Sequence, residues 1–472
     1  MLTMTPPCSR ATRRRARRAF GNDNDAFIPE VWAKYTVAIL QKYLVAGRLV
    51  HRDFENEVKM FGDTVNTRRP STFTVDRKDD NDNIATQDVS ATNIPVVLNM
   101  HPYCSFIIKD GEASLSMEDL VARHLDGAVK AMAEFIDASV TGQYTQFLAA
   151  GQVGGRLGGL TNANYQQYLT ETGEVMDNLN VPQDGRNLLV TPHTKALILQ
   201  NQPLVGADQR GRLTALERAD MGLIYGFQHY MTQSMRTVAA ADVASSAFLV
   251  DTSSLQIGDT VIAVDTGTGA LVTGNWCKIL GRPYRITAHS ETLGNTTSIT
   301  VSPALTEVVP NDTPITVYDE CLVNYGSGTT AVYPTGYSKS IIYDNATITP
   351  KVGQGVTFGT QSTIYTIVQA TATKIWLDRA LEEDVDENMA INVLPPGDYN
   401  MAFRREAISL VCRPLEKPRA GSGAISAVVN HDGFPLRIVI AYDYTKQGHA
   451  VTIDNLMGVK TIDSYQGAVL LG

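Results

Sequence analysis

The pattern of apolar and polar positions predicts a long amphipathic helix in the first third of the chain. Between Met117 and Leu148, apolar side chains recur at steps of three and four residues, which places them on one helical face. Ser116, with Asp119 three residues later, resembles a capping box. At 1.5 Å per residue the helix would be a rod of roughly 48 Å. Such a rod needs cover along its apolar stripe, which comprises Val121, Leu125, Ala128, Met132, Phe135 or Ile136, and Val140.

Two different patterns precede this helix. Residues 26–46 have helical spacing, and Gly47 is predicted to end that first helix. From 51 to 98, Thr, Val and Phe alternate with polar residues on both sides of a charged turn at 76–83. This alternation predicts a long two-stranded excursion with a hydrophilic tip. An isolated hairpin is only marginally stable in water, so we expect the excursion to lie against a neighbour.

A mixed region follows the glycine-rich run at 151–160, which is predicted to end the long helix. Residues 186–192 have the pattern of a buried strand that runs into a turn, and 194–200 have that of a helix. Residues 223–227 are predicted to form another strand or turn.

An internal repeat occupies the stretch from 240 to 398, which is rich in Thr, Val, Ile and Gly. Ser298–Val317 aligns without gaps on Lys374–Val393. A Tyr-x-Ile strand and, before it, a Gly-x-x-Val start precede each copy. We therefore predict two copies of a small β unit, inserted into a host domain as a compact barrel or as paired β modules. The matched positions are Ile299 with Ile375, Val301 with Leu377, Ala304 with Ala380, Leu305 with Leu381, Ile315 with Ile391, Val317 with Val393, Tyr284 with Tyr365, Ile286 with Ile367, Gly258 with Gly353, and Val261 with Val356.

The length and composition are those of a soluble globular protein with several units. A chain of 472 residues is expected to divide into two to four units. No apolar run approaches the ~18 residues of a membrane helix, and the start has no apolar stretch typical of a signal peptide. The five cysteines are scattered and contain no C-x-x-C, which favours folding in a reducing cytosol.

The charge is unevenly distributed. The net charge is −9, yet residues 10–18 carry six arginines and no acid, so the remainder stands near −15 (−9 minus 6). A basic arm on an acidic body is suited to contact with nucleic acid or an acidic partner surface. A disordered start, or residues upstream of the true initiator, is the alternative. The six are Arg10, Arg13, Arg14, Arg15, Arg17 and Arg18.

No motif predicts catalysis, a metal or a cofactor. The histidines and cysteines lack zinc-ligand spacing, and the glycine-rich run fits neither a phosphate loop nor a dinucleotide fingerprint. No G-x-S-x-G elbow occurs. Asp79, Asp80 and Asp82 lack the Gly and distal Glu of a calcium loop. His431-Asp432-Gly433 is best interpreted as a turn. We therefore do not expect an enzyme.

Two C-terminal segments resemble a known family. Met401–Ile408 reads M-A-F-R-R-E-A-I, and near the end two β-rich runs flank I-D-N-L-M-G-V-K-T-I-D. These segments resemble the C-terminal part of tailed-phage major capsid proteins, in which an F-H-(R/K)-(D/E)-A-like strand precedes a closing G-V-K-V-L-like strand. Together with the order of the predicted parts, they make the chain similar to the HK97-like fold over most of residues 26–472.

The resemblance implies an α+β fold with an inserted all-β accessory domain. Its parts would be a basic N-terminal arm (1–25), an N-terminal helix (26–50), an extended β loop (51–98), a peripheral domain with a spine helix (99–150), the first part of an axial domain (151–239), the insertion with two repeats (240–398), and an axial and peripheral return (399–472). The spine helix would pack through Val121, Leu125, Met132 and Ile136.

The resemblance also implies a function. The chain would be a coat protein that self-assembles, as pentameric and hexameric capsomers, into the icosahedral head around a double-stranded DNA genome. Scaffolding and portal proteins would be partners, and the six arginines would contact DNA on the inner face. Assembly would occur in the bacterial cytoplasm, without a membrane. An encapsulin-type cellular shell protein and a virion decoration or receptor-binding β protein remain the alternatives.

Overall fold

The computed structural model describes most of the chain, and strands predominate over helices within it. The described residues are 44–52, 64–69, 75–78, 84, 86–87, 92–109, 117–206, 218–235, 237–238, 243–252, 255–267, 271–324, 332–344, 348–419, 423–431 and 434–472. The arginines between 10 and 18, the predicted helix before residue 44 and the Ser116 cap lie outside these residues.

The helices are α1 (Met117–Thr141), α2 (Tyr144–Ala149), α3 (Tyr165–Asn178), α4 (Pro192–Leu199) and α5 (Gln202–Val205). The 3-10 helices are Ala46–Arg48, Arg405–Ala407 and Ser464–Gln466. The strands are β1 (Thr64–Arg69), β2 (Thr92–Val97), β3 (Tyr103–Lys109), β4 (Val153–Gly155), β5 (Arg186–Val190), β6 (Leu223–Ile224), β7 (Phe227–Met231), β8 (Val243–Val250), β9 (Val261–Asp265), β10 (Trp276–Ile279), β11 (Arg282–Thr292), β12 (Asn295–Ser302), β13 (Pro314–Tyr318), β14 (Glu320–Val323), β15 (Val332–Tyr333), β16 (Ile341–Asp344), β17 (Gly355–Phe358), β18 (Tyr365–Ala370), β19 (Lys374–Leu377), β20 (Val385–Asp386), β21 (Ala390–Val393), β22 (Tyr399–Arg404), β23 (Ile408–Arg413), β24 (Ile425–His431), β25 (Phe434–Asp443), β26 (Gly448–Asp454), β27 (Leu456–Thr461) and β28 (Gly467–Leu471).

A long helix on an antiparallel sheet forms one layer pair. The sheet has the order β24-β25-β26-β3, and α1 packs on it. The apolar stripe of α1 and the inward side chains of the sheet, such as Ile438 and Ile453, belong to one core. Trp276 and Ile364, from the inserted region, join the same core. This core therefore links the helix, the C-terminal strands and the insertion.

The helix is shorter than its sequence pattern predicts. The prediction extended it to Leu148, but α1 ends at Thr141 and α2 begins at Tyr144. The 25 residues of α1 span about 38 Å. The interruption falls at Gly142, where a Cβ atom would lie 2.7 Å from Cβ of Asp378. The break therefore occurs where a distant part of the chain approaches the helix.

A second sheet joins the middle of the chain to its C-terminal part. Its order is β4-β28-β22-β5-β7-β6, with parallel pairs β28–β4 and β5–β7. Helix α3 covers one face, where Tyr165 and Leu169 pack with Leu188, Phe227 and Leu470. The strand and the helix predicted between 186 and 200 are present here as β5 and α4.

The inserted region forms two closed six-stranded barrels with the same strand order. Taken from equivalent strands, the order is β10-β11-β12-β9-β8-β13 in the first barrel and β17-β18-β19-β16-β14-β21 in the second. Each barrel encloses its own apolar core. The aligned segments of the repeat thus form β12 and β13 in one barrel, and β19 and β21 in the other.

The equivalence of the barrels extends to irregular details. A β-bulge follows the pair Ile286–Val301 in the first barrel and the pair Ile367–Leu377 in the second. The turn before the last strand contains a non-glycine residue with positive φ in both, Asp312 at 61° and Asn388 at 63°. A bulge re-aims a strand and adds twist, so sharing it indicates that both barrels close in the same way.

The glycine pairing predicted from the sequence is wrong. Gly258 N–H donates to Leu305 O at 2.8 Å, and its counterpart is Gly336, which donates to Leu381 O at 2.7 Å. Gly353 instead corresponds to Gly274, since both donate to the isoleucine of the Tyr-x-Ile strand, each at 2.8 Å. The Gly-x-x-Val spacing matched two different turns, because both turns need positive φ.

Gly47 was also interpreted incorrectly. It lies within the 3-10 helix Ala46–Arg48 rather than beyond a helix end. A Cβ atom there would lie 2.4 Å from Cδ2 of Leu44, so a larger residue would require the Leu44 side chain to move.

Candidate assembly surfaces

The stripe predicted on the long helix faces the main core. Leu125, Met132 and Ile136 are buried, with exposures of 1%, 3% and 0%. Val121 lies in α1, but its side chain is outside the described residues. Lys130, off the stripe, is half-exposed and forms an ion pair with Glu134 at 3.8 Å. The helix thus has one buried face and one solvated face.

Asp137, on the same helix, was not singled out by the sequence. It is 2% exposed, and its two carboxylate oxygens accept the N–H groups of Val45 at 2.8 Å and Gly47 at 2.9 Å. Burial raises the pKa of Asp137 to about 6, although these backbone hydrogen bonds oppose the rise. The only signal in the sequence is an acid that directly follows the apolar pair Phe135-Ile136 of the stripe. This carboxylate ties the segment before the excursion to the spine helix.

The contacts that the described residues of the two-stranded excursion make with the rest of the chain lie at its base. Among the described strands, β1 pairs with β2 alone. At the base, Val96 and Leu98 form a small core with Val411, and Gly458 lets the backbone of β27 approach Val97 O closely. Val97 itself is 44% exposed. With respect to the described residues, the outer edge of β1 is therefore open to pairing or packing with another chain.

The second barrel is seated on the break between α1 and α2. Asp378, fully buried, accepts hydrogen bonds from Gln143 Nε2 at 3.1 Å and from Thr366 N–H at 2.8 Å. Thr366 Oγ1 donates to Gly142 O at 3.2 Å. The barrel thereby adds a hydrogen bond to a carbonyl that also accepts from Thr145 at the start of α2.

A buried ion pair strengthens this seat. Arg379 donates from Nη1 to Asp378 Oδ2 at 2.7 Å and from Nη2 to Ile364 O at 2.6 Å, and its guanidinium lies 4.8 Å from the ring centre of Tyr365. Burial by itself would lower the pKa of Arg379, but the charges of Asp378 and Glu382 raise it above its ordinary value. The cation is thus held in a closed polar network.

The first barrel presents the equivalent corner with different chemistry. Ser302 and Pro303 take the places of Asp378 and Arg379, and Pro303 packs at Gly151, just beyond α2. Nearby, Glu307 forms ion pairs with Arg156 at 2.5 Å and with Arg282 at 3.5 Å. The two barrels therefore contact opposite ends of α2.

The barrels also contact each other directly. Arg285 Nη2 donates to Gly359 O at 3.1 Å, and Trp276 Nε1 donates to Thr357 Oγ1 at 3.2 Å. Gly274 permits this approach, because a Cβ atom would lie 2.3 Å from Gly359 O. Burial lowers the pKa of Arg285, with an opposing effect from the charge of Glu383. A cleft of about 340 Å³ remains where α2 and the two barrels meet.

The chain leaves and returns to the host domain at adjacent points. Val238 and Gly397 form an antiparallel backbone bridge, with N–H to O distances of 2.8 and 3.2 Å. Beside it, buried Asp398 accepts hydrogen bonds from His193 Nδ1 at 2.6 Å, from Thr194 Oγ1 at 3.2 Å and from the Thr237 hydroxyl. Both hydroxyls donate to the carboxylate, so neither is aligned with the imidazole as a nucleophile. The arrangement closes the junction of the insertion.

Within the described part of the chain, no group of three or more potential ligands could hold a metal ion. Over the same residues, no helix is long and apolar enough to cross a membrane.

No protein-family model and no curated protein matches the sequence. Comparison with solved structures found phage structures. Mycobacterium phage Che8 matches at 11% identity and a TM-score of 0.45, covering 90% of both chains. The capsid structure of Cyanophage P-SCSP1u matches at 10% identity and a TM-score of 0.40, over 87% of this chain and 84% of that one. The mature capsid of bacteriophage PhiM1 matches at 8% identity and a TM-score of 0.37, over 86% and 81%.

The resemblance drawn from the sequence agrees with these matches. Since each of the three TM-scores is below 0.5, the functional proposal rests on the architecture of the chain itself.

Proposed function

We propose that this protein is the major capsid protein of a tailed phage, with an HK97-like fold, and that it builds the icosahedral head around double-stranded DNA. The observation that carries the proposal is the ordered set of parts. An open-edged excursion, a helix on an antiparallel sheet, a separate mixed sheet and an insertion follow one another, an order that supports that fold with an added accessory domain. Of the C-terminal strands, β22 and β28 join the mixed sheet, β24, β25 and β26 join the antiparallel sheet, and β23 pairs with β27.

The architecture suits self-assembly. Strand β1 has no partner other than β2 among the described strands, and an isolated strand pair is marginal in water. A second copy lying under the excursion would supply the missing contacts. Closed shells repeat one set of such patches, and many modest contacts per subunit sum to a stable particle.

The partners follow from the same role. Copies of the chain would form pentameric and hexameric capsomers, with scaffolding and portal proteins taking part in assembly. The body is acidic, which limits adhesion to packaged DNA, whereas the six arginines at 10–18 would neutralise phosphate on the inner face. The protein would act in the virion, after assembly in the host bacterial cytoplasm, as a structural protein rather than an enzyme.

The test is expression of the full chain in bacteria, alone and with its phage's scaffolding protein, followed by negative-stain microscopy. We expect capsomers or closed shells. A compact monomer under every condition would contradict the proposal. Mass spectrometry of the contents separates the alternatives, since an encapsulin-type shell would hold a cargo protein. A decoration protein would be absent from the shell lattice of purified virions.

A further inference from the structure

The first barrel carries a longer hairpin than the equivalent one of the second barrel. Beyond the shared bulge, eleven residues separate Ala288 from Thr300, whereas six separate the equivalent Gln369 from Trp376. Strands β11 and β12 remain paired out to Thr292 and Asn295, and from Thr287 outward β11 is almost entirely exposed. The β11 side and the tip of the extension are therefore exposed, whereas Thr296 and Ile299 of β12 are buried against the barrel, and a second register shift falls between Ser290 and Glu291.

The tip of this hairpin combines exposure with backbone strain. Leu293 is 99% exposed and has a φ of 54°, and Gly294 has a φ of 80°. Positive φ at both residues of a two-residue loop is typical of the type I′ turn, which favours Asn-Gly. A bulky leucine in the left-handed region is unusual. The exposure of Leu293 and its positive φ are both unfavourable for a single copy of the chain. Local conflicts of this kind are expected at functional positions.

The other end of the same barrel exposes an apolar patch. Ile257 is 68% exposed and Val308 is 50% exposed, and both flank the bridge between Leu255 and Val309. The equivalent positions of the second barrel are Thr335 and Asp384. These are hydrogen-bonded to each other, with Thr335 Oγ1 donating to Asp384 Oδ1 at 2.7 Å. The second barrel is thus polar where the first is apolar.

Leu293 at the hairpin tip and the patch of Ile257 and Val308 cannot meet within one copy. Strand β12 runs between the two ends of the barrel, and its eight residues span about 26 Å. Leu293 protrudes at one end of the barrel and the apolar patch is exposed at the other end. This placement is suited to a head-to-tail contact between two copies of the chain. Such heterologous contacts close into rings when the rotation permits it.

We propose that the first barrel forms a head-to-tail contact between copies of this chain, in which Leu293 of one copy packs on the Ile257–Val308 patch of the next. The inference rests on the proposed function, because it needs copies held side by side in a shell. It assigns the two barrels different roles: the first links neighbouring subunits, and the second is fixed to its own host domain.

Substitutions taken from the chain's own pattern test the contact. Leu293→Asn supplies the residue that a type I′ turn prefers, so the isolated protein should melt at the same or a higher temperature. The double variant Ile257→Thr/Val308→Asp copies the second barrel. The Leu293→Asn variant and the double variant should each reduce shell yield at limiting protein concentration about tenfold. In either case each contact between copies loses the burial of a large apolar side chain. Ala372→Asp, at the exposed tip of the second barrel's short hairpin, is the control and should assemble normally.

A photo-crosslinking residue at position 293 identifies the occupant. In assembled particles we expect crosslinks to the segment around Ile257 and Val308 of a second copy, absent from unassembled protein. Normal yield from both variants, or crosslinks to another virion protein or within one copy, would overturn the contact. If the wild-type chain forms no particles at all, the proposed function fails instead, so the two failures are distinguishable.

Discussion

The two barrels of the insertion have the same strand order and bulge but different contacts with the rest of the molecule. The second barrel is seated by a buried ion pair, Asp378–Arg379, over the break at Gly142. At the equivalent corner, the first barrel has Ser302–Pro303 against Gly151. The hairpin between β11 and β12 of the first barrel is also longer than the β18–β19 hairpin of the second.

This difference shows that buried strand positions determine the barrel fold, whereas corner and tip positions determine what each barrel contacts. Buried strand positions such as Ile299 and Ile375, both fully buried, keep their apolar character in the two copies. Corner and tip positions face the host domain or solvent, and there the chemistry diverges. A closed barrel leaves no free sheet edges, so corner and tip side chains can change without reorganising the core.

The largest effect is expected at the helix layer that supports both barrels. Met132 is 3% exposed in the core that also contains Trp276 of the first barrel and Ile364 of the second. Met132→Asp buries an unpaired charge, which should abolish folding or assembly. Lys130→Ala removes only an exposed ion pair with Glu134 and should cost less than about 0.5 kcal/mol. Soluble yield and melting temperature are to be measured for both variants. If Met132→Asp were tolerated as well as Lys130→Ala, the apolar stripe would not be packed in the core.

A matched pair at the equivalent corners tests the comparison itself. Asp378→Ala leaves the guanidinium of Arg379 buried without its main counter-charge, which should lower the free energy of unfolding by about 3–5 kcal/mol. Ser302→Ala, at the exposed equivalent position, should change it by less than about 0.5 kcal/mol. Denaturant unfolding followed by the fluorescence of the tryptophans reports both. Similar losses at the two corners would contradict the different seating.

A smaller effect is expected from Asp137, on the same helix away from both barrel seats. Its pKa is about 6 in the folded protein against 3.8 ordinarily, so the folded state binds the proton more tightly. The corresponding stability is fully present below about pH 4 and is lost as the pH rises through 6, a change of about 3 kcal/mol. Asp137→Asn cannot titrate, so its unfolding free energy should vary less between pH 4 and 7. An identical pH dependence in both proteins would contradict the assignment.

The sequence predicted features that depend on local periodicity. The stripe through Leu125, Met132 and Ile136, and the match of Ile299 with Ile375, both follow from regular spacing of buried side chains. The helix break at Gly142 was not predicted from the apolar spacing, which continues to Leu148, and the contact that Asp378 makes there comes from more than 200 residues later in the chain.

Polar and glycine positions were harder to predict for the same reason. The role of Asp137 depends on the N–H groups of Val45 and Gly47, which lie some 90 residues earlier. The wrong pairing of Gly258 with Gly353 arose because a turn glycine reports its backbone conformation and not its place in the topology.

The central claim is that this chain is the repeating subunit of a closed shell, and a cryo-electron microscopy reconstruction of the purified particle tests it most directly. The account predicts icosahedral symmetry, with one copy of this chain at every lattice position and the β1–β2 excursion lying over an adjacent subunit. A shell built from a different protein, with this chain attached outside or missing, would contradict it.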